Sequence, residues 1–283
     1  MIESLYLKFF DQTYGKRDWP FFDPNGLLPT VQLVTELSKR SSPLRILVIG
    51  DYSGRDTILL EALGFAPDVL DLSRPAHFTD NNRGSFIEAN LDEERDLQKI
   101  NATYDLIVLC EVIEHVFHDF RLLQFLRSRL AENGRLLFST PLINPLIVHA
   151  SDSVDFHVQV YTPRQLLRLF DRAGFHAEEQ AVRGVILNYW PTIPFRAMVF
   201  LRKKILGDRQ AFLSVVRWSQ RLYRWGSRSN LARWLSMWSW AYGYLAVLRP
   251  CDPSVDFHEL NKKEFLTCHQ ADSPHKDASC VCS

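Results

Sequence analysis

From residue 44 the chain alternates short apolar runs with stretches of helical period, the signature of βαβ units and a parallel sheet. Arg45-Ile-Leu-Val-Ile-Gly50 reads as a buried strand ending in glycine, and Ile58 to Leu63 as a helix stopped by Gly64. Asp68 to Asp71, Ser85 to Glu88 and Tyr104 to Cys110 read as the next three strands. A helix from Phe120 to Leu130, ending at Asn133-Gly134, precedes a strand over Arg135 to Ser139. Thr162-Pro163-Arg-Gln165 is a helix start, with Thr at the N-cap, Pro in the first position and Gln three residues after the cap. That helix ends at Gly174, and Phe175 opens a sixth strand.

The flanks differ. Residues 1–43 read as a helical, aromatic cap, with a second helix from Pro29 to Lys39. Residues 184–235 break the rhythm as a Trp- and Arg-rich helical insertion. Trp240 to Leu248 alternates large and small residues, as in a last strand returning to the sheet; a helix through Leu248 is the rival reading. Residues 251–283 are polar and aperiodic, as in a disordered tail. The pattern therefore predicts one α/β domain over 44–250, with a seven-stranded, mostly parallel sheet and helices on both faces.

At 283 residues and 46% hydrophobic, the chain can bury a full core. Its 33 basic and 33 acidic residues cancel, so no global field draws it to nucleic acid or an anionic surface. The balance is local: within 196–233 Asp208 is the sole acid among many Lys and Arg. Met1 is followed by no basic and apolar leader, and no stretch reaches the roughly 18 apolar residues of a spanning helix. Of five cysteines, Cys110 lies in an apolar run and Cys251, Cys268, Cys280 and Cys282 lie in the tail, a layout that points to a reducing, cytoplasmic setting. The terminal Cys280-Val-Cys-Ser283 has the form of a prenylation box, whereas Cys268, His269, His275, Cys280 and Cys282 fit no standard zinc finger.

Three groups carry candidate chemistry. Glycines in Ile49-Gly50-Asp51-Tyr52-Ser53-Gly54, where a strand turns into a helix, let backbone approach a ligand and aim amides at it. Asp71 ends the next strand about 20 residues on, where an acid can accept from both hydroxyls of a ribose. Glu111, Glu114 and His115 form E-x-x-E-H, on one face of a helix expected after the fourth strand, and His157 follows the fifth. All four would lie at the carboxyl edge of the sheet. There they can hold one divalent cation (Mg²⁺, Mn²⁺ or Zn²⁺), act as a metal-free general base, or merely brace the helix.

Tyr104-Asp-Leu-Ile-Val-Leu-Cys-Glu-Val-Ile-Glu-His-Val116 resembles the fourth-strand motif of class I S-adenosylmethionine-dependent methyltransferases, close to "FDLVVCSEVLEHV". Leu130-Ala-Glu-Asn-Gly-Arg-Leu-Leu-Phe-Ser-Thr-Pro141 and Tyr161 to Phe175 resemble that family's "LKPGGRLLLSTP" and "FTPEELRALLEEAGF", in register and in order. The resemblance covers 44 to about 183, with a family-like ending at 240–249, and implies a Rossmann-like fold with S-adenosyl-L-methionine as cofactor. It assigns Gly50 and Gly54 to the cofactor's methionine part, Asp71 to its ribose, Asn90 and Leu91 to its adenine, and Cys110 and Glu111 to the region beside the sulfonium. Tyr14 resembles an N-terminal aromatic that closes over the cofactor. Two positions depart from the family: the usual acid two residues before the first glycine is Val48, and the middle glycine is Tyr52. Asp51 is the residue available to replace the lost contact with the methionine ammonium.

The E-x-x-E-H group resembles that of the ubiquinone-pathway O-methyltransferases, the "SEVLEH" type, and of the small-RNA 2′-O-methyltransferases. The expected reaction is methylation of a hydroxyl on a small molecule, a glycan or a lipid-linked intermediate. An inactive module that keeps the fold is the alternative from another class, and an RNA 2′-O-methyltransferase is disfavoured by the zero net charge. In the insertion, Arg217, Arg221, Arg224 and Arg228 recur at helical spacing, with Phe212, Val215, Val216, Leu222 and Trp225 for an apolar side. Such a helix can cover the active site, lie on an anionic membrane surface or bind nucleic acid.

Overall fold

In a computed structural model of the chain, the structure describes residues 3–4, 7, 10–11, 24–39, 43–51, 54–75, 78, 84–142, 157–184, 204–214, 216–217, 221 and 241–251. Seven strands form one sheet: β1 (Ile46–Ile49), β2 (Asp68–Asp71), β3 (Phe86–Glu88), β4 (Tyr104–Cys110), β5 (Leu130–Pro141), β6 (Phe175–Gly184) and β7 (Ala241–Pro250). Their spatial order is β3-β2-β1-β4-β5-β7-β6. β7 runs antiparallel to β5 and β6, and the other pairs are parallel. The sheet is thus the seven-stranded, mostly parallel one expected from the pattern, and 241–250 is a strand rather than the end of a helix.

The apolar runs are continuous because both faces of the sheet are covered. Alternate residues feed two cores, as the two-residue period of a strand requires. On one side lie Leu47, Ile49, Ile107, Leu109, Leu136 and Phe138, beneath α4 (Asp119–Ser128) and α5 (Pro163–Ala173). On the other lie Ile46, Val48, Leu106, Val108, Leu137 and Val247, packed on α1 (Pro24–Leu37) and α2 (Arg55–Ala62). A single turn, α3 (Glu94–Leu97), follows β3. Thr162 begins α5 with the expected capping box, and Gly174 ends it in the left-handed conformation, φ 79°.

Three boundaries differ from the expectation. The helix expected over 29–39 begins at Pro24 and ends at Leu37. Helix α2 starts at Arg55, directly after Gly54, so the loop before it is tighter than the sequence suggested. Residues 130–134 belong to β5 rather than to the preceding helix. Leu130 already pairs with Tyr104, and the register then shifts so that Arg135 pairs with Leu106. Asn133-Gly134 therefore marks a bulge inside the strand, and an added Cβ on Gly134 would lie 2.9 Å from the Tyr104 carbonyl oxygen.

The described part of the insertion packs on the N-terminal segment. Phe212 stacks on Phe10 with ring centroids 4.8 Å apart, and Arg209 pairs with Asp11 at 2.7 Å. Arg217 donates to both carboxylate oxygens of Glu3, at 2.6 and 2.8 Å. Val216 is buried, so of the apolar side read from the sequence both Phe212 and Val216 are covered by protein. Val215, Leu222, Trp225, Arg224, Arg228 and the tail beyond 251 lie outside the described residues. Among the described residues no helix is long and apolar enough to cross a membrane.

Helix α2 is held by a buried carboxylate. Asp51, 5% exposed, accepts from the amides of Thr57 at 2.7 Å and Asp56 at 3.3 Å, occupying the first free donors of the helix. Burial, and next the Asp56 carboxylate beside it, push the Asp51 carboxyl up to about 7. A raised carboxyl binds its proton more tightly in the native state than in the unfolded chain. Its stabilising contribution is therefore present below the ordinary value of 3.8 and is lost as pH rises towards about 7. Urea denaturation from pH 5 to 8 should show wild-type stability falling with a slope of up to about 1.4 kcal/mol per pH unit. In Asp51→Asn the profile should be flatter; parallel profiles for the two proteins would remove Asp51 as the cause.

Candidate functional site

The strand order reverses between β1 and β4, which leaves a crevice where the chain departs in opposite directions, the usual ligand position in an open α/β sheet. A cavity of about 220 Å³ opens there, lined by Val48, Ile49, Gly50, Asp51, Arg55, Asp56, Cys110 and Glu111. Gly50 and Gly54 both adopt left-handed backbone, φ 69° and 73°. At Gly50 an added Cβ would also lie 2.4 Å from Val112 Cγ2, so the turn cannot carry a side chain. Both glycines singled out in the sequence are thus required by the loop that forms the cavity wall.

Asp71 ends β2, the neighbour of β1. One carboxylate oxygen accepts from the Leu72 amide at 2.7 Å. The other is buried and has no hydrogen-bond partner among the described residues. A buried carboxylate oxygen without a donor costs about 1–3 kcal/mol. Leu72, which sequence reasoning passed over, is 67% exposed beside this acid.

Past β3, Asn90 stands where adenine contacts were expected; its side-chain oxygen accepts from the Asp92 amide at 3.1 Å and its own amide donates to Asp96 at 2.8 Å. Leu91 packs partly buried on the core. Cys110, at the tip of β4, is buried, and burial followed by the Asp56 charge raises its thiol to about 12. It stays protonated, which suits a wall and not a nucleophile. Tyr14 and Tyr52 lie outside the described residues.

Glu111 is the non-glycine residue with positive φ, 57°, among those described. Such backbone costs on the order of 1–3 kcal/mol and persists where the surroundings hold it. Here the holding groups are visible: the Glu111 amide donates to the Ser139 carbonyl at 2.9 Å, and the Ser139 hydroxyl donates to the Glu111 carboxylate at 2.6 Å. This strain corrects one expectation. Glu111 lies outside the helix after β4, which is a single 3₁₀ turn over Ile113–His115, so the three residues of E-x-x-E-H do not share a helix face.

Glu114 turns inward, 1% exposed, and accepts from the Thr140 hydroxyl at 3.0 Å. Burial, with a smaller push from Glu111, raises its carboxyl to about 7. His115 and His157 meet edge to face with ring centroids 4.9 Å apart, as their common edge of the sheet suggested. His157 is tied there because the amides of Val158 and Gln159 donate to the Glu114 carbonyl at 2.9 and 3.0 Å. Burial, and then the neighbouring His115, lower His157 below the ordinary imidazole value, so its neutral form persists at physiological pH.

Glu114, His115 and His157 each offer a ligand atom, all within 4.8 Å of one another. Glu111 is not part of this set, so the structure brings together three of the four residues that the sequence offered as ligands. The sequence missed Arg55, Asp56, Ser139 and Thr140. Ser139-Thr140 carried the one available signal, two hydroxyls at the end of an otherwise apolar strand.

Comparison with known proteins bears on the same region. A search of curated proteins finds no match. Among solved structures, 1,6-didemethyltoxoflavin-N1-methyltransferase of Burkholderia thailandensis, with 1,6-didemethyltoxoflavin and S-adenosylhomocysteine bound, is 13% identical, with 89% of each chain covered and a TM-score of 0.50. At that identity the likeness shows the fold. An O-methyltransferase from a trans-AT PKS multienzyme of Brevibacillus brevis is 15% identical over 94% of this chain and 97% of that one, with a TM-score of 0.44. The model of a family described as a methyltransferase domain matches residues 27–180, more than half the chain, and spans the crevice and β1 through most of β6. By that match the chain belongs to the methyltransferase-domain family, among the class I S-adenosylmethionine-dependent methyltransferases.

Proposed function

We propose that the chain transfers a methyl group from S-adenosylmethionine to a hydroxyl of a small molecule, glycan or lipid-linked intermediate, without a metal. The observation that carries the cofactor assignment is the buried, unpartnered oxygen of Asp71 at the end of β2, which the hydroxyls of a ribose would satisfy. The glycine turn at Gly50 and the Glu111 tip support placing the methionine end in the cavity. Bound there, the cofactor supplies a methyl on a sulfonium, open to in-line displacement.

A hydroxyl is a weak nucleophile and must give up its proton as the new bond forms. The pair His115 and His157 supports that role, since His115 is 45% exposed and a neutral imidazole can take the proton at working pH. Glu114, buried behind the pair, orients it; Thr140 and the 158–159 amides orient Glu114. The zero net charge favours a small acceptor over RNA. The insertion is read as a cover tied to the N-terminal segment, since Phe212 and Val216 are already buried and Arg217 is paired with Glu3.

Two outcomes follow. Asp71→Ala should weaken S-adenosylhomocysteine binding by about 1.5–3 kcal/mol, the worth of charge-assisted hydrogen bonds; equal affinities by calorimetry would remove Asp71 from the site. With a panel of hydroxyl acceptors, S-adenosylhomocysteine formation should survive exhaustive chelation. It should fall about 10²- to 10⁴-fold in the double variant His115→Ala/His157→Ala, with cofactor affinity kept. Activity lost on chelation and restored by Mg²⁺, Mn²⁺ or Zn²⁺ would replace the base with a metal. Undiminished turnover in the double variant would exclude both.

A further inference from the structure

The insertion turns a corner in the open. Residues 204–206 end one helical stretch, Gly207 takes left-handed backbone at φ 76°, and residues 208–214 begin another. Residues 204–210 are all exposed, and burial resumes at Ala211, Phe212 and Leu213. A Cβ added to Gly207 would meet no other atom within 4 Å, so the corner projects into solvent. Behind it the chain is tied down: Arg209 pairs with Asp11, Phe212 stacks on Phe10 and Arg217 pairs with Glu3.

Two aliphatic side chains sit on this corner, Ile205 at 72% exposed and Leu206 at 50%. Ile205 is the most exposed large hydrophobic among the described residues, and no other two exposed ones there are neighbours in sequence. Single exposed aliphatics are ordinary on a protein surface, whereas an adjacent pair held out on a turn marks a surface that meets something apolar. The charge around the pair narrows the partner. Arg202-Lys203-Lys204 come immediately before it, and no acid occurs from Gly184 through Gly207. Cations directly beside aliphatics match the boundary of an anionic bilayer, where phosphates lie over acyl chains. Nucleic acid supplies phosphates without an aliphatic layer, and leaves Ile205 and Leu206 with nothing to enter.

Independently of the cofactor reading, we propose that this corner docks the protein on an anionic phospholipid surface. Ile205 and Leu206 enter the boundary between headgroups and acyl chains, and the adjoining cations meet lipid phosphates. This contact differs from the one that the Arg217 to Arg228 spacing suggested. On that stretch Phe212 and Val216 are covered by protein and Arg217 is taken by Glu3, so it has no apolar side to offer there. Docking is peripheral and reversible, since among the described residues no helix can cross a bilayer and the overall charge is zero.

The test co-sediments the full chain with vesicles of neutral phosphatidylcholine and with vesicles that also contain phosphatidylglycerol. Wild type should bind the anionic vesicles, leave the neutral ones in solution, and be released as salt rises. Each cation near such a surface is worth about fivefold in binding, so Lys203→Gln/Lys204→Gln should weaken it about 10- to 30-fold. Ile205→Ser/Leu206→Ser keeps every charge and should still weaken binding about tenfold or more. Both of those positions are exposed in the fold, so thermal unfolding of that variant should match wild type. No binding of wild type to anionic vesicles at low salt would overturn the proposal. So would full binding by the serine variant with loss confined to the glutamine variant, the mark of a basic patch that meets phosphate alone. Full binding by both variants would place the contact elsewhere and overturn it as well.

Discussion

Where β1 and β4 end, the glycine turn runs so close to the Val112 side chain that Gly50 has no room for one of its own: a Cβ there would lie 2.4 Å from Val112 Cγ2. The rest of the site depends on that approach. It lets the chain turn through two left-handed glycines into α2, brings the tip of β4 beside the turn, and leaves the cavity open between them. The strands that set the two ends apart are buried on both faces and paired in register, Ile49 beside Leu109, so the edge from which the loops spring is rigid. Loops positioned by a stiff sheet can hold strained backbone, and Glu111 at φ 57° is the local instance.

Around this edge the chain buries more charge than the fold alone requires. Asp51 caps α2, Asp56 clamps Arg55, and Glu114 sits behind a pair of imidazoles. Each carboxylate is satisfied by a named donor, which limits the cost of burial. Asp71 is the exception: half of its hydrogen-bonding capacity is met by the chain and half is left for something else.

Much of the fold was legible because its strands are buried on both sides. Tyr104 to Cys110 could be read to the residue, since an unbroken apolar run of that length has one use in a parallel sheet. The turn at Gly50 and Gly54 and the strand end at Asp71 were legible because a glycine after an apolar run marks where a strand stops. Leu130 to Gly134 was misread because a glycine turn signal looks the same inside a bulge as after a helix. The E-x-x-E-H face was misjudged for a similar reason: helical spacing counts only where a helix exists, and the backbone reverses at Glu111 first. Arg55 and Asp56 gave no local signal. Their pairing depends on where α2 begins and on Thr30, whose hydroxyl donates to Asp56 from 26 positions away along the chain.

The central claim is that the carboxyl edge of β1, β2 and β4 holds an S-adenosyl nucleoside. A crystal structure of the chain grown with saturating S-adenosylhomocysteine tests it most directly. The account predicts the ribose hydroxyls within hydrogen-bonding distance of the buried Asp71 oxygen and the amino-acid end in the cavity between Gly50 and Glu111. Nucleoside density elsewhere on the chain, or an empty edge at saturating ligand, would contradict it.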